Sequence, residues 1–147
     1  MIQFRDKLAD KSYIERPGAY GIVINDLGEL GVLRVKGEYF LPGGGLDQGE
    51  SSEEALKREC LEEAGWQIEI VRGMGQAAEY DFSQAANQYL NLVGDFYVIK
   101  VISQLRAGTE ADHDLVWLKP EEVFLKMPRQ SQIHMVRQVL NLHLSPQ

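Results

Sequence analysis

The sequence predicts an α/β sandwich, a β-sheet held between helices. Three observations predict it. The elements fall in the order strands, helix, strands, helices. The run at 89–102, YLNLVGDFYVIKVI, is β-branched and aromatic with apolar side chains on both faces, the pattern of a central strand covered on two sides. Two segments, 51–64 and 130–143, carry helical signatures. A length of 147 residues suits one domain, 1–147, with enough chain for a real core.

Taken in order, AYGIVIND (19–26) is apolar and β-branched, and Asn25-Asp26-Leu27-Gly28 is turn-like. LGVLRV (30–35) follows as a second strand, so the pair is expected to form a hairpin. Lys36-Gly37 turns the chain into a short extended piece, EYFLP (38–42). Helix is expected from Ser51 to Ala64: Ser51 with Glu54 fits a capping box, and Gly65 fits the C-terminal stop. WQIEIVR (66–72) alternates like a strand, and QAAEYDF (76–82) is a weaker one. DLVWL (114–118) is a last short strand, Pro120 opens a helix over PEEVFLKM, and Ile133, Val136, Val139 and Leu140 sit at helical spacing in 130–143. No internal repeat, low-complexity tract or linker interrupts the chain.

Bulk properties narrow the partners. With 44% hydrophobic and 25% charged residues the composition is that of a soluble globular protein. A net charge of −7 argues against a long nucleic acid polymer, though not against a small nucleotide held through metal ions. Cys60 is the one cysteine, which excludes an internal disulfide and a multi-cysteine metal site. The polar N-terminus has no apolar signal core, and no apolar run approaches membrane-spanning length. A cytoplasmic, reducing setting is the expectation.

The chemistry concentrates in GGGLDQGESSEEALKRECLEEAG (43–65). Three glycines leading into a helix suggest a phosphate-cradling loop, yet the following segment is acidic. From Asp47 to Glu63 seven carboxylates face two cations, Lys57 and Arg58. Gly44-x4-Gly49-Glu50-Ser51 has a P-loop outline, but Glu50 stands where the phosphate-binding lysine is required. Asp47 lacks the Asp/Asn partners of an EF-hand calcium loop. On a helix, Glu59, Glu62 and Glu63 share an arc of about 100°. Ala55 falls within that arc, where its small side chain would leave room above the carboxylates, whereas Leu56, Cys60, Leu61 and Ala64 can pack on the sheet. Adjacent carboxylates repel. A hard divalent cation relieves that: Mg²⁺ takes a few carboxylates, keeps waters and binds substrate phosphates. The carboxylates would hold the cation, and the cation the phosphates. Glycines let backbone approach both without a Cβ in the way.

Gly44, five residues, Glu50, seven residues, then Arg58-Glu59-Cys60-Leu61-Glu62-Glu63-Ala64-Gly65-Trp66 resembles the box of the Nudix hydrolase family (MutT-like), G-x5-E-x7-R-E-U-x-E-E-x-G-U with U bulky and apolar. Every fixed position matches; Cys60 and Trp66 are less usual apolar residues at the U positions. The box covers about a sixth of the chain, and the strand order around it also resembles the Nudix α-β-α sandwich, with a mixed β-sheet between helices. The resemblance implies a Mg²⁺-dependent hydrolase, with Mn²⁺ able to substitute, of a nucleoside diphosphate linked to a group X. Water would attack a bridging phosphate. By the same resemblance Glu59, Glu63 and the carbonyl of Gly43 are metal ligands, with Glu62 a further ligand or a water-mediated one. Gly44 and Gly45 lie against the substrate, Arg58 orients Glu59, and Glu50 pins the loop to the helix. Glu53 and Glu54 are solvated charges favoured by the helix dipole. For the general base, Glu59 competes with Glu110, Asp112 and Asp114, with Glu110 ranked slightly first outside the box. His113 could reach substrate, and His134 and His143 are expected to be structural or surface residues.

Substrate choice is less sharply written. Tyr80 and Phe82, in a polar stretch, are candidates for gripping a nucleobase, while Tyr97 and Trp117 are expected in the core. Some ADP-ribose-cleaving relatives carry a proline shortly after the box; none occurs here between Pro42 and Pro120. Tyr80 lies roughly where diadenosine polyphosphate hydrolases often have a tyrosine, and nucleoside triphosphates fit equally. A small nucleotide is the expected partner, with no nucleic acid polymer and no membrane; a homodimer is compatible. The alternative is a nucleotide-binding sensor module, although such modules typically lose box glutamates that this chain retains.

Overall fold

The computed structural model describes residues 1–106 and 114–144. Eleven elements follow in order: β1 (Ile2–Phe4), β2 (Ile14–Ile22), β3 (Leu30–Val35), β4 (Glu38–Phe40), β5 (Gly43–Gly45), α1 (Ser52–Ala64), β6 (Trp66–Ser83), β7 (Gln88–Gln104), β8 (Asp114–Leu118), α2 (Pro120–Phe124) and α3 (Gln130–Leu144). The strands form a five-stranded mixed sheet in the order β1-β6-β7-β2-β5 and a three-stranded antiparallel sheet in the order β4-β3-β8. In the large sheet β1 runs parallel to β6 and β2 parallel to β7, while β6–β7 and β2–β5 are antiparallel. The expected α/β class with a mixed sheet between helices is what the chain adopts, with the second sheet added.

Two apolar layers hold the fold. On one face of the large sheet, Ala55, Leu56, Cys60 and Ala64 of α1 pack against Ala19, Val23, Ile68 and Ile99. On the other, Ile22, Ala77 and Phe96 meet Val32, Val123, Val136 and Val139 from the small sheet and the later helices. Strand β7 feeds both layers, with Phe96 turned one way and Ile99 the other, as a central strand covered on two faces should. Trp117 stacks on Trp66 with ring centroids 5.6 Å apart, and Tyr97 borders the α1 layer, so both lie in packing roles as expected. Among the described residues no helix is long and apolar enough to cross a membrane.

Three expectations are corrected. Strands 19–26 and 30–35 do not form an extended hairpin: beyond the Ile24–Leu30 bridge, β2 and β3 diverge into different sheets. Both edges of β2 are taken, one by β7 over its whole length and the other by β5 at Gly18–Tyr20. The segments 66–72 and 76–82 are one strand, β6: register shifts at Ile70/Arg72 and Gly73/Gly75 leave Val71 and Met74 as bulged residues, and Gly73 and Gly75 stay paired with β7. Strand β1 had no sequence signal; three residues suffice once β6 offers an edge.

Candidate active site

Helix α1 is fastened at both ends. The Ser51 side chain accepts from the Glu54 N–H at 3.2 Å, and Glu54 accepts from the Ser51 N–H at 3.0 Å. Gly65, at φ 68°, closes the other end with its N–H on the carbonyls of Cys60 and Leu61. With the apolar stripe seated on the sheet, Glu59 and Glu63 are carried against β5. Ala55 does not leave room above them; it is fully buried in the α1 layer. The glutamate arc and the apolar stripe overlap on the helix, which is also why Glu63 is only 6% exposed.

At two of the three β5 positions nothing larger than glycine fits. A Cβ on Gly43, at φ 134°, would lie 2.1 Å from the Ala19 carbonyl oxygen. One on Gly44 would lie 2.9 Å from Glu59 Oε1. The Gly43 N–H donates to Glu63 Oε1 at 2.9 Å. Two α1 carboxylates thus meet two consecutive residues of β5, which antiparallel pairing fixes to Ala19 and Tyr20.

Arg58 is the hub of the loop. Its Nε and Nη2 donate to Glu50 Oε2 and Oε1 at 2.8 and 3.0 Å, a two-pronged pair. Its Nη1 donates to Glu59 at 3.1 Å and to Glu62 at 3.3 Å, and Nη2 also reaches the Gly45 carbonyl at 3.2 Å. Glu50 in turn accepts from the Asp47 N–H at 2.7 Å. The expected Arg58–Glu59 contact is present, yet Glu50 is the tighter partner. The Arg58 hydrogen bond, then the Asp47 N–H, hold the Glu50 carboxyl below its usual range. Hydrogen bonding by Glu50 pushes the guanidinium further up, so it stays charged. Burial, followed by the charges of Glu63 and Glu59, pushes the Cys60 thiol well up.

The donor set fits a hard cation. All side-chain donors are carboxylate oxygens, and one guanidinium faces Asp47, Glu50, Glu59 and Glu62 together. Among the described residues no three His, Cys, Asp or Glu side chains converge as a ready-made cage. Mg²⁺ keeps several waters and binds substrate phosphates, so its site need not be a closed protein cage.

Beside β5, on the sheet face opposite α1, a recess of about 600 Å³ is lined by Arg16, Lys36, Phe40, Phe82, Leu90 and Arg129 among others. Arg16 borders Gly45, its Cδ 3.7 Å from where a Gly45 Cβ would be. Tyr20 links recess and helix: burial raises its hydroxyl pKa, the charge of Arg129 opposes this, and Glu63 and Glu59 reinforce it. Arg16, Lys36 and Arg129 had not been singled out from sequence. The only local sign was a cation beside a proline, Arg16-Pro17 and Pro128-Arg129.

The other candidates scatter. Phe82 lines the recess, but Tyr80 packs on Tyr13 with centroids 5.0 Å apart. The Asp114 carboxylate is exposed and pairs with Arg34 at 3.4 Å across β3 and β8. His134 stacks on Phe4 at 5.4 Å. Glu110, Asp112, His113 and the His143 side chain lie outside the described residues.

Comparison with known proteins adds to this geometry. The model of the NUDIX domain matches residues 15–139. The nucleoside triphosphatase NudI of Escherichia coli O139:H28 is 29% identical over 119 residues, covering 75% of this chain and 79% of that protein. The NudI of Enterobacter sp. (strain 638) is 42% identical over 58 residues, so the match spans only 39% of that relative's length. The MutT protein of Methanosarcina mazei Go1 superposes with a TM-score of 0.66 at 19% identity, covering 90% of this chain and 98% of that one.

Proposed function

Because this chain belongs to the NUDIX family, we propose that it is a divalent-cation-dependent hydrolase of phosphoric anhydride bonds in small nucleotides. Mg²⁺ is the proposed cation, with Mn²⁺ able to substitute. Nucleoside triphosphates or dinucleoside polyphosphates are the proposed substrate class. The observation that carries this is the placing of two α1 carboxylates on β5, Glu63 on the Gly43 N–H and Glu59 against Gly44, beside a recess whose lining includes Arg16, Lys36 and Arg129 as well as Glu38 and Asp81.

Glu59, Glu62, Glu63 and the Gly43 carbonyl are the proposed metal ligands. When bound, the cation would polarise a phosphate and lower the pKa of a coordinated water. The chain supplies the rest. Arg58 holds Glu59 and Glu62 in place and limits their repulsion. Gly44 and Gly45 let the phosphates approach the backbone. Arg16 offers a cation to them. The recess takes the nucleoside, with Phe82 and Phe40 as apolar walls. Glu59, held by Arg58, and Glu110 are the proposed proton acceptors from the attacking water.

The test is turnover of a nucleotide panel in ¹⁸O-water with Mg²⁺, Mn²⁺ or chelator, read by phosphorus NMR. Cation-dependent cleavage with ¹⁸O in a phosphate product supports the proposal. Binding without turnover across the panel would instead indicate a nucleotide sensor.

A further inference from the structure

The recess contains a guanidinium whose every attachment is fixed. Arg129 stands one residue before α3, and its Nη1 donates to Asp81 Oδ2. Among the described residues it has no other hydrogen-bond acceptor. The backbone on either side is tied down. Pro128 accepts from Arg5 Nη2 at 2.9 Å, and the Ser131 N–H donates to Glu79 Oε1 at 2.8 Å. Glu79 is fully buried and pairs with Arg5 Nε at 3.0 Å, while Arg5 Nη1 reaches Asp81 at 3.2 Å.

Part of this network has a plain structural purpose: Arg5 and Glu79 tie the end of β1 and the start of α3 to β6. That purpose accounts for a buried carboxylate, which is costly unless paired. It does not require Arg129, whose side chain is 27% exposed and lines the recess with Phe40 and Phe82.

Resting on the placement of the nucleoside in this recess, we propose that Arg129, aligned by Asp81, reads the base and selects 6-oxopurine nucleotides over 6-aminopurine ones. A guanidinium has donors only. Its fork matches the adjacent N7 and O6 acceptors of a 6-oxopurine. Adenine would set its N6 amino group against a donor, losing one of the two bonds the fork makes to a 6-oxopurine. The Asp81 carboxylate serves Arg5, the Phe82 N–H and Arg129, and this pairing aligns the guanidinium. Asp81 is a positioning residue.

The experiment is equilibrium binding of the imidotriphosphate analogues of ITP, GTP and ATP with Mg²⁺, paired with kcat/KM on the parent triphosphates. Wild type, Arg129→Ala, Arg129→Lys and Asp81→Asn are compared, with Tm as a folding check. The expected result is that wild type favours both ITP and GTP over ATP by about tenfold. The ITP arm removes any contribution of the 2-amino group. Arg129→Lys, which keeps the charge but not the fork, should bring the ratio near one, and Asp81→Asn should shrink it through KM. No preference in wild type, or the same preference in a folded Arg129→Lys protein, overturns the proposal. A binding preference without hydrolysis would sink the hydrolase reading and leave this one standing. Hydrolysis without preference would do the reverse, and absence of any binding would sink both.

Discussion

Gly43 and Glu63 are joined by one hydrogen bond, the Gly43 N–H donating to Glu63 Oε1 at 2.9 Å, and through it the acidic helix is registered on the glycine strand. Glutamine keeps an acceptor at that position but loses the charge. Glu63→Gln should therefore lower cation-dependent turnover by about 100-fold or more while the far-UV spectrum and Tm change little. A large loss of Tm would make Glu63 primarily a structural residue.

The three residues of β5 should respond to alanine in a graded way. Gly43→Ala sets a Cβ 2.1 Å from a backbone oxygen at a φ that side chains avoid. It should destabilise by about 3 kcal/mol or more. Gly44→Ala meets the Glu59 carboxylate instead, a movable group, and should lower kcat by about 10- to 100-fold with a small change in Tm. Gly45→Ala, with Arg16 at 3.7 Å, should alter stability by no more than about 0.5 kcal/mol. Thermal melts and kinetics on the three variants check the order.

Glu50 sets an acid limb of stability. Its carboxyl is lowered, first by Arg58 and then by the Asp47 N–H. A lowered folded value contributes stability above the unfolded pKa of about 4.3, and that stability is lost as pH falls through the folded value. Tm measured from pH 7 down to pH 3 should drop in wild type by an increment absent from Glu50→Gln, which should already be less stable at pH 7.

Cys60 acts in the opposite direction. Burial raises its thiol pKa, so the folded chain favours the protonated form. Its contribution is complete below the unfolded value of about 8.5 and declines as pH rises above it. Cys60→Ala should weaken that alkaline decline. Native protein should react with a thiol reagent at pH 8 only as fast as it opens, and fully in denaturant.

Much of the site was legible because its determinants are local. Ser51, Glu54 and Gly65 fix α1 within one helix, and the spacing of Glu59, Glu62 and Glu63 follows from helix geometry. What was not legible depends on contacts distant in sequence. Ala55 looked like open space because a helical wheel shows an arc without showing where the sheet lies. The hairpin at 19–35 is cut short because β7, far along the chain, and β5 take the two edges of β2. Arg16 and Arg129 meet at one recess only after β2 and the start of α3 are brought together, and the Tyr13–Tyr80 contact likewise joins residues distant in sequence.

The central claim is that α1 and β5 form a divalent-cation site that serves a bound nucleotide. Mn²⁺ binding, followed by water-proton relaxation with and without a non-hydrolysable triphosphate, addresses it without relying on turnover. Saturable binding to wild type that tightens when nucleotide is present is the expected result, with at least about tenfold weaker binding in Glu63→Gln. Equal Mn²⁺ affinity in a folded Glu63→Gln protein, or no binding by wild type even with nucleotide, would contradict it.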